Sequence, residues 1–514
     1  MKLSRRGRGV ATCLVAMLLV LGSVMLAGCG GTSGSGQRLV VAIGTDASTF
    51  DPHFCTDSAT EVLNKNLYNN LVRFNADMKI VPDLATKWEV SPDGLTWTFE
   101  LRQGVKFHDG TDFNAEAVKK CLERVLDPNT GSPRRSVLAM IKSVEAVDTH
   151  KVKITTSYPC GSFLQQLSHP VAAMISPAAI EKYGKDLSRN PVGTGPFKLK
   201  EWVSGDRITM EANPQYFGGA PKVKELVFRV VPEDASRVML LESGQVDVAL
   251  RVPVVDLDRL SKNKDISLIR TPTVMTMYVA LHNQRGPLQD VRVRQALNYA
   301  VNKEVMVRDV VGGLGVVADA PISPATWGHA AIGAYPYDPD RARKLLADAG
   351  FADGFDIELW TPVGRYLMDR QLAENLQAQL AQVGVRVKIR QWEFQALMAE
   401  VKKGQFDMVL LGWSPSTGDA DQGLYPVFHS SQWPPNSNRA HYKNTDVDRL
   451  LEQAKEETNE EARRQLYAQA EKIIMDEAPW IFLFYPEQVV ATRAGVKGLE
   501  VLPTEHILFA NVTR

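Results

Sequence analysis

Hydrophobic positions in the first part of the chain follow the two-residue period of β-strands. Residues 39–43 form a short apolar run that ends at Gly44, and residues 95–101 alternate apolar and polar side chains. The second run follows Ser91-Pro92-Asp93-Gly94, a typical turn sequence. Both segments are therefore predicted strands.

A helical period follows the second predicted strand. Val118, Leu122 and Val125 recur at a spacing that places them on one helix face. Asn114 stands at the position of an N-cap, and the Asp-Pro pair at 127–128 is a stop signal.

Helices and strands alternate in the second half of the chain. Asp338-Pro339 predicts a helix start, with Leu345 and Leu346 facing a core and Gly350 as its end. The further predicted elements are a helix carrying Leu372, Leu376 and Leu380, strands at 385–389 and 406–411, and helices at 445–458 and 460–477 that end before Pro479. Repeated helix-then-strand units favour a mostly parallel sheet covered by helices.

The N-terminus carries the pattern of an export signal. A basic start precedes residues 10–27, which contain no charge, and Leu26-Ala27-Gly28-Cys29 follows. This ending resembles the lipobox of bacterial lipoproteins, which implies removal of residues 1–28 and lipidation of Cys29. Residues 29–36 are rich in glycine and serine and form a predicted flexible tether. The alternative is an uncleaved membrane anchor, because about 18 apolar residues can just span a bilayer.

Charge and length limit the classes of partner. Of 59 basic residues, four lie in the signal, which leaves 55 basic against 59 acidic residues and a net charge of −4. Nucleic acid is an unsuitable partner at that balance. About 485 residues after the signal require at least two lobes. Cys55, Cys121 and Cys160 remain, and the sequence does not decide whether two of them form a disulfide or all three are buried thiols.

Signatures of hydrolases are absent from the sequence. It contains no HExxH and no G-x-S-x-G motif, and the glycine-rich run at 192–197 lacks the lysine of a phosphate loop. His429 and His441 flank a polar loop and give only a weak metal signal. We therefore expect neither an enzyme nor a bound cofactor or metal, with an exported peptidase as the alternative of another class.

Four segments carry a resemblance to a known family. They are residues 95–110 (LTWTFELRQGVKFHDG), 190–197 (NPVGTGPF), 291–303 (VRVRQALNYAVNK) and 337–350, which begins Tyr-Asp-Pro. In this order they are similar to the peptide/nickel-type solute-binding proteins (family 5) of ABC importers. Residues 169–185 and 412–435 resemble the glutathione-binding branch most.

This resemblance implies an α/β fold of two lobes that close over a ligand at a hinge, the type II periplasmic-binding-protein-like fold. The first lobe would comprise residues 37–273 and 478–514, and the second residues 274–477. The expected function is capture of glutathione or short peptides outside the cytoplasm and delivery to a membrane permease driven by a separate ATPase subunit. We expect a monomer, periplasmic if the host has an outer membrane. A nickel-chelate receptor is the alternative within the family.

The resemblance also suggests ligand contacts in the second lobe. In dipeptide binders an arginine at the position of Arg365 pairs with the ligand carboxylate, and a guanidinium suits that role. Tyr366 adjoins it, and Trp413 would present an indole to the cleft. Their alternative roles are a surface loop for Arg365 and simple packing for Trp413.

The residues after Trp413 depart from the dipeptide binders, which have an aspartate there for the ligand's α-amino group. The matching position holds Ser416, followed by Thr417, so Asp419 is the expected substitute, or else a turn residue. In the first lobe, Asp51 and His53 follow the opening strand and are expected either to line the cleft or to form a turn.

Overall fold

The computed structural model describes residues 37–514. The proposed signal peptide, the lipidation site Cys29 and the tether therefore lie outside the described residues. Within the described part, no helix combines the length and the apolar character needed to cross a membrane. The described residues form twenty strands and fourteen α-helices.

The strands are β1 (Arg38–Ile43), β2 (Val72–Phe74), β3 (Ile80–Pro82), β4 (Ala85–Val90), β5 (Thr96–Leu101), β6 (Ile141–Asp148), β7 (Lys151–Thr156), β8 (Phe197–Val203), β9 (Arg207–Ala212), β10 (Glu225–Val230), β11 (Val248–Leu250), β12 (Ile266–Pro272), β13 (Thr276–Leu281), β14 (Gly315–Val317), β15 (Phe355–Pro362), β16 (Val385–Trp392), β17 (Met408–Trp413), β18 (Trp480–Arg493), β19 (Glu500–Val501) and β20 (Ile507–Leu508).

The helices are α1 (Ser58–Asn64), α2 (Ala115–Leu126), α3 (Phe163–Ser168), α4 (Pro177–Tyr183), α5 (Asp234–Glu242), α6 (Leu257–Ser261), α7 (Val291–Tyr299), α8 (Lys303–Val305), α9 (Pro339–Asp348), α10 (Asp369–Ala381), α11 (Phe394–Val401), α12 (Ala420–Phe428), α13 (Thr445–Glu456) and α14 (Glu460–Glu477).

The local patterns predicted most of these elements. The side chain of Asn114 caps α2 by accepting the N–H of Ala117 at 3.0 Å, and Asp338 caps α9 by accepting the N–H of Arg341 at 2.9 Å. The predicted leucine stripe is buried on α10. The predicted helix starting at Thr445 ends at Glu456, slightly earlier than expected.

A twelve-stranded sheet runs through both lobes in the order β16-β15-β17-β13-β18-β11-β1-β10-β9-β8, with β12 and β14 also paired to β18. A separate four-stranded sheet, β4-β5-β7-β6, adds to the first lobe. The expectation of a mostly parallel sheet is wrong for the large sheet. Parallel pairs occur only where β1 lies between β10 and β11 and where β15 lies between β16 and β17. The other pairs of this sheet, including all those of β13 and β18 with each other and with β11, β12, β14 and β17, are antiparallel.

Two adjacent connections join the lobes. The first runs from β12 to β13, and the second is β18 itself. Thr273, between β12 and β13, donates both its N–H and its hydroxyl to the carbonyl of Pro486, at 3.1 and 2.7 Å. Paired chain crossings of this kind form a hinge.

The hydrophobic cores place the second crossing later than residue 478. Residues 480–485 of β18 pack into the cores of the second lobe, whereas residues 489–491 pack into those of the first. We therefore move the return to the first lobe from 478 to about Pro486. Below, the first lobe means residues 37–273 with 486–514, and the second lobe means residues 274–485.

Three cysteines lie in the described residues, and all belong to the first lobe. Cys55, Cys121 and Cys160 are buried, and none of them forms a disulfide. Burial raises the pKa of each thiol to about 12. The structure thus agrees with the alternative of three buried thiols.

Candidate ligand-binding site

The carboxyl ends of two parallel strands meet at the edge of the second lobe. β15 ends at Pro362 and β17 ends at Trp413, beside the start of β13 at Thr276, directly after the hinge. Open α/β sheets bind ligands beyond the carboxyl ends of their strands. This edge is therefore the candidate site of the second lobe.

Arg365 and Tyr366 lie in the loop that follows β15. One carboxylate oxygen of Asp369 accepts the backbone N–H of both residues, at 2.9 and 3.2 Å, which fixes the loop against the start of α10. The guanidinium carbon of Arg365 lies 4.9 Å from the ring centroid of Phe394. The side chain of Arg365 is exposed, and no carboxylate of residues 37–514 forms an ion pair with it.

Tyr366 packs on the end of β17. Its hydroxyl donates to the carbonyl of Gly412 at 3.4 Å, and burial raises its pKa. A Cβ on Gly412 would lie 2.9 Å from the Tyr366 ring and about 3 Å from the sulfurs of Met275 and Met277. Glycine at this position therefore lets the tyrosine ring and two methionines close on the strand end.

The loop after β17 is organised by Gln422. The backbone carbonyl of Gln422 accepts the indole N–H of Trp413 at 2.8 Å. Its side-chain oxygen accepts the hydroxyl of Ser416 at 2.9 Å and the N–H of Thr417 at 3.2 Å. Thr417 is buried, whereas Trp413 and Ser416 are half-buried. Trp413 and Ser416 thus each keep part of their surface for a ligand, and the Ser416 hydroxyl oxygen can still accept a hydrogen bond.

This loop also contacts the first lobe. A Cβ on Gly418 would lie 2.5 Å from the terminal methyl of Met78 and 3.3 Å from the ring of Phe74, both in the β2–β3 hairpin. Phe74 and Met78 form a small hydrophobic cluster with Val274 at the hinge. The lobes are therefore in contact beside Ser416.

Asp419 does not face the cleft. Its side chain is completely buried, and its two carboxylate oxygens accept the two terminal N–H groups of Arg463, one at 2.8 Å. Asp419 also caps α12 by accepting the N–H of Asp421. Since both oxygens are occupied, we leave Asp419 out of the ligand contacts.

The side chains of Asp51 and His53 also form their contacts inside the first lobe. Arg124 donates to both carboxylate oxygens of Asp51, at 3.0 and 2.6 Å. The two ring nitrogens of His53 contact Arg124 at 2.8 Å and the carbonyl of Ala173 at 3.0 Å. Both side chains are buried, so we remove these two residues as well.

A cavity of about 290 Å³ lies beside Ser416, mostly in the first lobe. Its charged lining consists of three basic and two acidic residues apart from His506, and Ser416 is the contribution of the second lobe. The charged residues are Lys65, Arg73, Asp83, Arg102 and Glu500. Ligand pockets for small molecules have volumes from about 300 Å³ upward, so the cavity suits one end of a peptide.

Unlike Ser416, the five charged residues of this cavity were not among the candidates from the sequence. They come from α1, the β2–β3 hairpin, the edge of the four-stranded sheet and the C-terminal hairpin β19–β20, far apart in the chain. Asp369 could have been noticed, because an aspartate at a predicted helix start is a common capping residue. No local sequence pattern indicates that Gln422 organises the loop after β17.

Comparisons with known proteins identify the family of this chain. Residues 79–435 match the model described as bacterial extracellular solute-binding proteins, family 5 middle. The chain belongs to this family. It is 38% identical over 474 residues to the glutathione-binding protein GsiB of Salmonella typhimurium, with 91% of this chain and 92% of the relative covered.

Two solved structures are similar to this solute-binding protein over nearly its whole length. HbpA2 from Haemophilus parasuis superposes with a TM-score of 0.84 and 28% identity, covering 92% of this chain and 99% of the other. The ABC transporter-associated periplasmic binding protein DppA from Helicobacter pylori, in complex with the peptide STSA, gives a TM-score of 0.78 and 29% identity, covering 93% and 98%. The two-lobed peptide-binder fold is thereby established.

Proposed function

We propose that this protein captures glutathione or a related short peptide outside the cytoplasm and delivers it to an ABC permease. The observation that carries the proposal is Arg365, an exposed guanidinium at the carboxyl ends of β15 and β17 without an ion-pair partner in residues 37–514. A planar guanidinium holds a carboxylate through two parallel hydrogen bonds. A peptide with a free carboxylate is thus the ligand class that this edge favours.

Several groups around Arg365 support binding of a peptide. The ring of Tyr366, 5.5 Å from the guanidinium carbon of Arg365, and the half-buried side chains of Met275 and Trp413 near the end of β17 supply adaptable apolar surface. Ser416 offers a hydroxyl at the opening of the cavity. The similarity to a glutathione-binding protein over 91% of the chain favours glutathione among the possible peptides.

Lobe closure supplies the mechanism. A ligand held by the second lobe gains further contacts when the first lobe closes on it, and it shifts the open–closed equilibrium only by its differential affinity for the two states. The paired crossings at Thr273 and Pro486 permit such a motion. The closed, loaded receptor would then dock on its permease, and the ATPase subunit would supply the energy. No covalent step is required.

Attachment to the membrane through Cys29 belongs to the same proposal. An acylated N-terminal cysteine with a glycine-serine tether keeps the receptor close to its permease, and two or more acyl chains anchor stably. Removal of the signal peptide and a monomeric state complete the proposal.

Titration calorimetry of the purified protein tests the ligand. We expect glutathione to bind with a one-to-one stoichiometry and more tightly than dipeptides, nonapeptides or a nickel–histidine chelate. Exclusive binding of the nickel chelate, or binding of none of these compounds, would contradict the proposal. Mass spectrometry of the peptide after long incubation should recover it intact, whereas cleavage would indicate a peptidase.

A further inference from the structure

The cavity beside Ser416 contains a loosely joined acid–base pair. Arg73 lies on β2 and Glu500 on β19, and their nearest charged atoms are 4.0 Å apart. The two side chains remain 40% and 29% exposed. A pair at this distance is weak, because exposed ion pairs contribute at most about 1 kcal/mol. Nη1 of Arg73 also donates to the carbonyl of Phe74 at 3.2 Å, so the other N–H groups of Arg73 and the carboxylate of Glu500 are available to a ligand in the cavity.

Rigid contacts hold the two partners of this pair in place. Asn66, before β2, donates its side-chain amide to the carbonyl of Ile507 at 3.0 Å and accepts the N–H of Phe509 at 3.0 Å. Gln488 of β18 donates to the carbonyl of Leu502 at 2.8 Å. The hairpin that carries Glu500 is therefore fixed to the first lobe on two sides.

Of the other charged groups of the cavity, Asp83 and Lys65 are already engaged and Arg102 is engaged in part. The carboxylate of Asp83 accepts the amide of Asn69 at 3.0 Å and the N–H of Asn70 at 3.0 Å, and burial raises its pKa. Lys65 donates to the side chain of Asn70 and to the carbonyl of Ser168. Arg102 uses its Nε–H on the carbonyl of Asp83 and keeps its terminal N–H groups. The guanidinium groups of Arg73 and Arg102 therefore provide the available positive charge, and Glu500 provides the available negative charge.

Opposite charges at this spacing complement a free amino-acid head, in which an ammonium and a carboxylate are bonded to one carbon. The N-terminus of an ordinary α-peptide carries only the ammonium on that carbon. A γ-glutamyl peptide keeps both groups on its glutamyl residue. The Arg73–Glu500 pair thus favours a γ-linked peptide over an α-linked one.

We propose that the Arg73–Glu500 cavity is the subsite for the free amino-acid head of a γ-linked peptide. Arg73 binds the head's carboxylate, Glu500 binds its ammonium, and Ser416 contacts the head from the second lobe. The inference rests on the proposed function, since Arg365 holds the carboxylate at the other end of the same ligand. In this proposal, residues of the first lobe select γ-linked peptides over α-linked peptides.

Titration calorimetry with two isomers tests this subsite: γ-Glu-Cys-Gly, which is glutathione, and α-Glu-Cys-Gly. The wild-type protein should bind the γ isomer at least about tenfold more tightly. R73Q and E500Q should each weaken binding of the γ isomer by about tenfold or more and leave the α isomer nearly unchanged. R73K, which keeps the charge but loses the planar fork, should fall between R73Q and the wild type.

Two nearby substitutions provide the matched controls. Lys79→Gln removes an exposed charge from the same β2–β3 hairpin, and Glu505→Gln removes a half-buried charge from the turn between β19 and β20. Both should retain the preference for the γ isomer. Thermal unfolding of every variant establishes that it is folded, and R73K replaces R73Q if the latter fails to fold.

The outcomes separate the subsite from the proposed function. If the wild-type protein binds glutathione but R73Q, R73K and E500Q keep the full preference for the γ isomer, the subsite is wrong and the proposed function stands. If the wild-type protein binds neither glutathione nor any other of the tested peptides, the proposed function itself fails. Binding of other peptides without glutathione overturns the subsite and leaves the proposed function standing. Equal binding of both isomers by the wild-type protein also overturns the subsite.

Discussion

The N–H of Gly161 in the first lobe donates to the carbonyl of Lys455 in the second, at 3.2 Å. This bond belongs to a contact away from Arg365, in which Ser162 donates to the carboxylate of Asp421 at 3.3 Å. The ammonium of Lys455 lies 5.0 Å from the ring of Tyr158. The contact joins the two lobes in the arrangement that this structure shows.

Glycine at 161 is required by this closed contact. A Cβ there would lie 2.1 Å from the carbonyl oxygen of Glu457 and 2.7 Å from Cδ of Arg463. We therefore predict that G161A favours the open state and weakens glutathione binding by at least about tenfold, or about 1.4 kcal/mol. Titration calorimetry measures the affinity, and small-angle scattering should show a larger radius of gyration with ligand present.

Gly495 provides the control for that substitution. No atom lies within 4 Å of a Cβ built there, so G495A should bind glutathione like the wild-type protein. Wild-type affinity in G161A would show that the contact does not contribute to closure.

The buried pair of Asp419 and Arg463 should contribute to folding. D419N leaves the guanidinium of Arg463 buried without its counter-charge, which costs about 3–5 kcal/mol. Urea unfolding of the unliganded protein measures this loss. In contrast, D258N breaks an exposed pair with Lys262 and should cost less than about 1 kcal/mol. A loss for D419N as small as that for D258N would contradict the structural role.

The stability of the first lobe should fall in acid through His53. Burial lowers the pKa of His53 to about 4, against about 6.5 when unfolded, with a smaller opposing effect of Asp51. The ring nitrogen beside Arg124 must stay unprotonated to accept that contact. Between pH 6.5 and 4 the unfolded chain binds the extra proton, so stability decreases as the pH falls through this window.

Substitution of His53 isolates this contribution. H53Q should reduce the loss of unfolding free energy between pH 7 and pH 5 by about 2 kcal/mol. H150Q, which replaces a half-exposed histidine, should leave the loss unchanged. Urea unfolding of the wild-type protein, H53Q and H150Q at both pH values gives one pH-dependent loss for each protein. An unchanged pH dependence in H53Q would exclude His53 as a cause.

Removal of the free guanidinium should weaken ligand binding without unfolding the protein. R365Q loses a charge-assisted hydrogen bond of about 1.5–3 kcal/mol, so glutathione affinity should fall by about 10- to 100-fold at an unchanged unfolding temperature. Arg370, which pairs with Glu374 at 2.9 Å on the exposed face of α10, offers the control R370Q. Equal affinities of R365Q and R370Q would remove Arg365 from the site.

The proposed lipid anchor leads to a separate prediction in cells. C29A should still bind glutathione after purification but leave the membrane fraction, because it lacks the acylated thiol. Cell fractionation with detection of the protein measures this. If C29A stays with the membrane, the uncleaved apolar segment is the anchor.

Features set by neighbouring residues could be predicted from the sequence. Capping by Asn114 and Asp338 depends on an N–H three residues away, and the loop of Arg365 follows a recognisable strand. The pairing of Asp419 with Arg463 was missed because it joins residues 44 positions apart. The Arg73–Glu500 cavity joins opposite ends of the chain, so no local pattern could indicate it.

The division of β18 between the lobes also escaped prediction. Pro479 correctly indicates the start of a new element, since β18 begins at Trp480. The first half of this strand pairs with β13, and the second half pairs with β11 and β12. These partners decide which hydrophobic core each half enters. Such long-range pairing has no counterpart in local periodicity.

A crystal structure of the protein grown with glutathione tests the central claim most directly. The account predicts electron density for one intact glutathione between the lobes, with one carboxylate at Arg365 and the glutamyl head between Arg73 and Glu500. The account would be contradicted if crystals grown with saturating glutathione showed no density between the lobes. Density that contacts none of these residues would contradict it as well.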